Sequence, residues 1–512
     1  MLRDAAYQLQ LPADRARLHG FAFALIESLA GGRPPAPPPL GAVEPDRWQP
    51  HPSDNWAAEL ADQSERSDRP EKGGSNLDDA VVLYLRRAAE HAGRTHQCEQ
   101  AISLWLRLAE RAGEVERAEA IRWAGCAAMD AGRSGKAEEC FKRALELHGQ
   151  AGQKRLEGYS RAELGQLYLN TGRLKLAESA LREAIGVFRE VSDIRHEGVA
   201  LSQLGNVLHQ MSRWTEAEQI LKEALELHRS VGNRKSEVLA LSSLGSLLAS
   251  AGRPDEGERV LTEALKWIRE LDLHSAEASA LQRLAGIHGL RGRFEEATRF
   301  SEQALAIYRR INSPRGELFA LLSLAQLRRE SGRPDGAEEL LRRSLTLARE
   351  VGDLRMQGRV LASLARLAAD SGKLEAAEVL LRQALEIHRD ALDEIFEGCS
   401  LGELGIVLSR MGRAAEAEGH LRAALDIHRR FAQRMYEGFH GCGLGLVLLS
   451  MGRTAEAGLA WRAGAAVLRG FPNAEWLDAE VRSMRGACAK AGALPFDGGG
   501  TPPTASGTAR CT

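Results

Sequence analysis

No stretch of 18 apolar residues occurs in this 512-residue chain, so no membrane-spanning helix is expected. The start, Met1-Leu2-Arg3-Asp4, lacks the apolar core of a signal peptide. Charge of one sign is also missing: the formal net charge is -2, which gives no reason to expect nucleic acid or an anionic membrane as main partner. The seven cysteines, at 98, 126, 140, 399, 442, 488 and 511, form no Cys-x-x-Cys pair. An odd, scattered set argues against a disulfide framework or a zinc site and fits a reducing compartment. Aromatic residues make up only 5%, while Leu, Ala, Glu and Arg dominate, a composition that favours helix. These readings predict a cytoplasmic protein.

Catalytic signatures are missing as well. No Gly-x-x-x-x-Gly-Lys-Ser/Thr loop is present, and Ser134-Gly135-Lys136-Ala137 lacks both the first glycine and the hydroxyl such a loop needs. His388-Arg389-Asp390 mimics a kinase catalytic loop, but Ile395 stands where a magnesium-holding Asn belongs and no Asp-Phe-Gly follows. No His-Glu-x-x-His occurs. No enzymatic activity, cofactor or metal is therefore expected.

What is present is a beat. Gly-Arg stands at 132–133, 172–173, 252–253, 292–293, 332–333, 412–413 and 452–453, softened to Ser212-Arg213 and Gly372-Lys373. A fixed period of 40 residues signals a repeat architecture, which works through a long surface instead of one cleft. The glycine reads as the turn between two helices, the arginine as surface decoration. In one copy, Val199, Leu201, Leu204, Val207 and Leu208 mark one face of a first helix. Ala217, Ile220, Leu221, Ala224, Leu225 and Leu227 mark a second, ended by Val231-Gly232-Asn233. Gly232 suits a left-handed cap and Asn233 an N-cap, as do Asp193 and Asp353 in related turns. Pro254 and Pro334 are expected just inside the starts of second helices.

Small residues recur at fixed phase. Leu-Gly at 164–165, 204–205, 244–245, 404–405 and 444–445 becomes Leu-Ala at 284–285, 324–325 and 364–365. Thirteen residues after each Leu comes Ala or Gly, as at Ala177, Ala217, Gly257 and Ala417. A mid-helix Gly costs roughly 1 kcal/mol, so its recurrence implies close approach of the partner helix. The phase Leu164, Gly165, Tyr168, Gly172, Ala177, Leu181, Ala184 resembles the tetratricopeptide repeat, in a form longer than the usual ~34 residues. This longer form is similar to the repeat arrays of kinesin light chains, of Leu-Gly-Asn adaptors and of bacterial signal-transduction ATPases. The resemblance implies an all-α, right-handed superhelical solenoid of about ten helical hairpins.

Four regions are expected: an N-terminal helical segment over 1–30, a Pro-rich linker over 31–76 in which Trp56 to Arg66 suits a short helix, the repeat array over 77–491 with a capping helix from about Ala474 to Ala489, and a disordered tail over 492–512. Leu2-Arg3-Asp4-Ala5-Ala6-Tyr7 and Leu11 to His19 resemble a helical segment of the same bacterial ATPases.

His148, His228, His388 and His428 share one phase, which suits metal binding or pH sensing. Phe188 and Tyr308 take the same slot elsewhere, so a semi-buried filler is expected instead. Cys399 and Cys442 read as packing residues. The family resemblance places groove positions at the second, fifth, ninth and twelfth residues of the motif, whose spacing keeps them on one helical face. The candidate partner-binding residues are Tyr159, Gln166, Ser202, Asn206, His209, Phe319, Gln326, Arg329, Arg359 and Arg366. Gln166, Asn206 and Gln326 carry amides that pair with both groups of an extended backbone. The arginines suit a carboxylate or phosphate. The expected function is a non-catalytic adaptor that holds a protein or peptide partner in its groove, in bacterial signalling. The alternative is a regulatory or sensor fragment of a signal-transduction ATPase, kinase or transcriptional regulator whose catalytic part lies on another chain.

Overall fold

The structure, a computed structural model, describes residues 12–41, 49–67, 75–95, 97–391, 393–431, 433–470 and 474–497. Among them every regular element is a helix, and antiparallel helical hairpins follow one another as an all-α solenoid. The helical reading of residues 2–11 and the tail over 498–512 lie outside the described residues. Two compact units are distinguishable: residues 1–167 with 186–191, and residues 168–185 with 192–512.

In the second unit, first helices (A) at Ile194–Gln210, Arg234–Ser250, His274–Leu290, Pro314–Glu330, Leu354–Asp370, Glu394–Arg410 and Arg434–Ser450 alternate with second helices (B). The B helices are Trp214–Ser230, Pro254–Glu270, Phe294–Arg310, Ala337–Glu350, Leu374–Asp390, Ala414–Arg430 and Thr454–Leu468. The turns use the expected chemistry. Gly232 takes φ +62°, and the Asn233 amide donates to the His228 carbonyl at 2.8 Å, closing the left-handed cap. Asn233 Oδ1 then accepts the Ser236 amide, and Asp193, Asp353 and Asp393 cap their A helices in the same way. Pro254 opens its helix as expected, whereas Pro334 does not. Gly336 takes φ +74° there, so that helix starts late, at Ala337.

The small residues sit where the two helices of a hairpin touch. A Cβ at Gly445 would lie 2.7 Å from Trp461 Cβ and 2.9 Å from the Ala457 carbonyl. One at Gly245 would lie 3.0 Å from the carbonyl of Gly257. A second complementarity runs alongside. Gly158, Gly198 and Gly358 face Phe188, His228 and His388 of their own hairpins, at 2.7, 2.8 and 2.5 Å from a Cβ that is not there. Where the B helix carries the small Ala348, the A helix carries Leu318 in that slot. The histidines of this slot are fully buried, not semi-buried: His148, His388 and His428 are 0% exposed.

The turn arginine does more than decorate the surface. Arg413 reaches Glu378 on the preceding B helix at 2.8 Å and Glu416 on its own at 2.6 Å. Arg453 does the same with Glu418 at 2.7 Å and Glu456 at 2.5 Å, and Arg253 with Glu218 at 2.9 Å and Glu256 at 2.6 Å. At the other edge, Arg389 pairs with Glu397 at 2.7 Å and Arg429 with Glu437 at 3.1 Å across the B-to-A turn. The hairpin from Pro314 to Glu350 is tied at its entry by Arg309 and Glu317 at 2.9 Å but lacks the other links, because Thr298 and Gly336 stand where Arg333 would need carboxylates and Gln357 stands where Arg349 would.

Two expected boundaries need correction. Helix Pro12–Leu29 is not a separate segment. It packs on helix Ala57–Ser67, which packs on Ser75–Arg94, so the pair forms one more hairpin ahead of the array. Phe23 is buried with its ring 5.9 Å from that of Tyr84, whose hydroxyl donates to Glu27 at 2.7 Å. Leu18, Phe21, Leu25 and Leu29 of this helix are exposed. At the other end the chain past 491 does pack. Phe496 is 8% exposed, 6.5 Å from the Trp461 ring, and its amide meets Met484 Sδ at 3.2 Å. Phe496 joins Met484 and Cys488 of helix Ala474–Ala491 in covering the last hairpin.

Candidate functional site

The A helices of the second unit present the strip on which the candidate residues lie. At the fifth motif position the strip turns inward. Ser202 donates to the Gly198 carbonyl at 3.0 Å and lies 3.2 Å from His228 Nε2, and Leu322 at that phase is buried. Ser202 is therefore engaged in packing between helices, which the spacing rule missed. Asn206 and His209 are half-buried. Burial, with the nearby Arg283 cation adding to it, pushes His209 down to about 4, so its ring is neutral at pH 7. Gln326 is exposed, and its amide donates to Glu330 at 2.8 Å. Arg329 pairs with Asp370 at 3.2 Å, and Arg366 with Glu403 at 2.8 Å.

Arg359 differs from these arginines. Its guanidinium carbon lies 5.5 Å from the ring of Phe319, which is 45% exposed, and 4.7 Å from the ring of Phe396. No carboxylate of the described residues lies within ion-pair distance of it; its one hydrogen-bond partner is Met356 Sδ at 3.5 Å. Burial lowers its pKa, which means the cation lacks the solvation or partner that would offset desolvation. Arg283 shares this state, with a single bond to Ser246 Oγ at 2.8 Å and a pKa lowered by burial. Arg355, one turn before Arg359, donates to the Asn170 carbonyl at 2.6 Å, and Ile395 lies against Gly172. The members of the expected basic strip thus differ: Arg329 and Arg366 are paired with carboxylates, while Arg359 has none of the described residues' carboxylates within ion-pair distance.

Beside Arg359 lies a chain of buried polar groups with no signal in the spacing argument. Phe396 stacks on His388 at 5.8 Å, and Tyr436 on His428 at 5.5 Å. His428 Nε2 and His440 Nδ1 are 2.9 Å apart, so one donates and the other accepts. Burial pushes His388 and His440 down to about 4 and His428 to about 3, with a neighbouring cation or ring adding to each. Burial also raises the thiols of Cys399 and Cys442 to about 12. Thiols held protonated in this way are inert, and these two cysteines act as packing residues.

The inner strip of the first unit has a different content. Tyr159 is half-buried with its ring 5.7 Å from Phe188, and Gln166 is half-buried. Next to them Arg122 pairs with Glu119 at 2.9 Å and approaches Glu163 at 3.5 Å, while His148 Nε2 meets Glu119 at 3.2 Å. Burial would raise the Glu119 carboxyl, but the bonds from His148 and Arg122 outweigh it and hold it below the usual range. Its nearest signal in the sequence is the Glu-Arg spacing of three on one helix. Trp105 and Trp123 stack at 6.0 Å, with Arg122 4.7 Å above Trp123. The Pro-rich stretch expected as a linker lies here as well. Arg86 donates to the Pro38 carbonyl at 2.5 Å, and Gly41 lies against Leu156 and Glu119.

Three family models match the chain. A MalT-like TPR region matches residues 236–437, and two tetratricopeptide-repeat models match 196–266 and 123–192. No curated protein matches the sequence. Among solved structures, a Rap protein complexed with competence and sporulation factor is 15% identical, with 69% of this chain and 99% of that chain covered and a TM-score of 0.49. A signal transduction ATPase with a tetratricopeptide repeat sensor from Pyrococcus horikoshii is 16% identical over 69% of this chain and 56% of its own, with a TM-score of 0.39. TPR-like repeats of a putative kinesin light chain from Podosopora anserina are 21% identical over 38% of this chain and 95% of theirs, with a TM-score of 0.32. No helix among the described residues is long and apolar enough to cross a membrane.

Proposed function

The chain is a tetratricopeptide-repeat protein, and we propose that it is a non-catalytic scaffold whose second unit holds an extended, acidic segment of a partner protein along its A helices. The observation that carries this reading is Arg359: a cation set between two aromatic rings, with no carboxylate of its own, on the face that a partner segment would contact. A desolvated guanidinium gains most from a bidentate carboxylate, and the flanking Phe319 and Phe396 supply apolar contact. Asn206 and Gln326 serve the backbone of the same segment. In this reading the partner is a protein in the cytoplasm, and the role is one of signalling.

Capture from lysate with the intact protein, followed by mass spectrometry, identifies the partner. Capture with the Arg359→Ala protein, and separately with Asn206→Ala plus Gln326→Ala, then tests the surface. Each variant is expected to recover at least tenfold less of the same partner; equal recovery by all three proteins would sink the reading. The MalT-like match over 236–437 favours a second reading, in which the array is the sensor portion of a larger regulator. A signalling ATPase, kinase or activator co-purifying at stoichiometric yield would favour it.

A further inference from the structure

The chain between helices Pro12–Leu29 and Ala57–Ser67 should be a short hairpin turn, but it spans residues 30–56. Its course is built in at both ends. Gly31 and Gly32 take φ +91° and +85°, a conformation glycine adopts at little cost, and turn the chain off the first helix. Arg33 then pairs with Glu27 at 2.8 Å, and Pro34 is buried. On the return, Arg87 donates to the Gln49 carbonyl at 3.1 Å and pairs with Asp54 at 2.6 Å, both side chains shielded from water.

Between these anchors, residues 33–41 read Arg-Pro-Pro-Ala-Pro-Pro-Pro-Leu-Gly and carry no helix or strand. Such a run loses little entropy on ordering, and each proline offers a carbonyl without a donor of its own. A surface that reads it needs aromatic walls and a donor aimed at those carbonyls. The first unit supplies both. Arg86 donates to the Pro38 carbonyl while Glu90 holds it at 3.0 Å, and its side chain is only 11% exposed, so the donor is preset. Pro35–Pro39, Arg86 and the stacked Trp105 and Trp123 line one cavity of about 1100 Å³.

We propose that the inner face of the first unit is a docking site for polyproline-type segments, and that residues 33–41 are its built-in occupant. A proline-rich segment of another protein that lies along the tryptophan pair reaches the Arg86 donor only by displacing Pro38 from it. A tethered segment has an effective concentration on the order of mM, so the intact chain holds competing peptides off.

The probe is a fluorescein-labelled peptide of the sequence of residues 33–41. Its binding is measured by polarisation to the full chain and to a full chain in which residues 34–39 are replaced by Gly and Ser. The replaced chain is expected to bind at least tenfold more tightly than the intact one, and adding Arg86→Ala is expected to abolish the gain. A replaced chain with an unchanged thermal melt that does not bind overturns the proposal, as does binding that ignores Arg86→Ala. Should the replacement prevent folding, a photo-cross-linker at position 36 of the intact chain gives a second measurement. Cross-links to peptides containing Arg86 or Trp123, suppressed by several-millimolar free peptide but not by a Gly-Ser peptide, support the site; cross-links elsewhere overturn it.

Discussion

The inner strips of the two units are made from the same 40-residue repeat, yet they treat an arginine differently. In the first unit Arg122 is neutralised by Glu119 and Glu163, His148 completes the cluster, and Pro38 of the proline-rich stretch accepts a bond from Arg86. In the second, Arg359 and Arg283 have no carboxylate partner among the described residues. The difference lies in single residues: Glu119, three positions before Arg122, pairs with it, whereas Arg359 has Phe319 of the preceding repeat beside it and no carboxylate of the described residues within ion-pair distance.

The largest effect that would sharpen this contrast comes from removing each arginine in turn. Arg122→Ala leaves the carboxylate of Glu119, 1% exposed, without its main partner, and should cost about 3–5 kcal/mol of stability in denaturant melts. Arg359→Ala should leave the melt nearly unchanged and weaken binding of an acidic partner peptide about tenfold, or about 1.4 kcal/mol, by calorimetry. A similar stability loss for both would erase the distinction between the two arginines.

Next comes a test of what the units share. Gly125 and Gly445 occupy the same phase. Valine at 445 would drive into the carbonyl of Ala457 and the backbone of Trp461, costing about 3 kcal/mol. Valine at 125 meets the Phe141 ring, a side chain that can shift, and should cost less. Equal losses would mean that the hairpins of the two units pack alike after all.

Acid should act on the second unit through its buried histidines. His388, His428 and His440 are depressed from 6.5 to about 4, 3 and 4, so below pH 6.5 the unfolded chain binds protons that the folded chain refuses. Stability is fully present above pH 6.5 and falls as pH drops toward 4, by up to about 1.4 kcal/mol per pH unit for each histidine. His388→Phe, an aromatic that this slot accepts at Phe188, should flatten the fall of the melting temperature between pH 6.5 and 5. An unchanged slope would remove His388 from the account.

The smallest effect separates stitched from unstitched turns. Arg413→Ala should cost about 0.5–1 kcal/mol, a loss that shrinks at high salt, since the pairs with Glu378 and Glu416 are partly exposed. Arg333→Ala, at a turn where Gly336 and Thr298 offer no carboxylate, should cost less than can be measured.

Most of the fold was legible because its causes are local and repeated. The Leu-Gly and Ala phases state which residues must be small, and the caps at Asp193, Asn233 and Asp353 state where helices begin. Less legible were features whose cause lies outside the repeat. Nothing near Pro334 announces that Gly336 will hold back the helix, and Phe23 is buried through Tyr84, 61 positions on. For the candidate site, spacing named Arg329, Arg359 and Arg366 alike; Asp370, Glu403 and Phe319 are what separate them in the structure. The turn arginine was undervalued because its partner Glu lies 35 residues back, nearly one full period away.

The pairing of a small residue with a large one inside several hairpins sets a rule for how such a gene can grow. Gly358 with His388, or Leu318 with Ala348, is a lock whose two halves are separated by 30 residues of one chain. Duplication of a whole period copies both halves together. A recombination breakpoint within a hairpin would join Leu318 to a partner such as His388, two large groups in one slot. Exchange cut between hairpins keeps such pairs intact, which makes the hairpin the unit that can be copied without repacking.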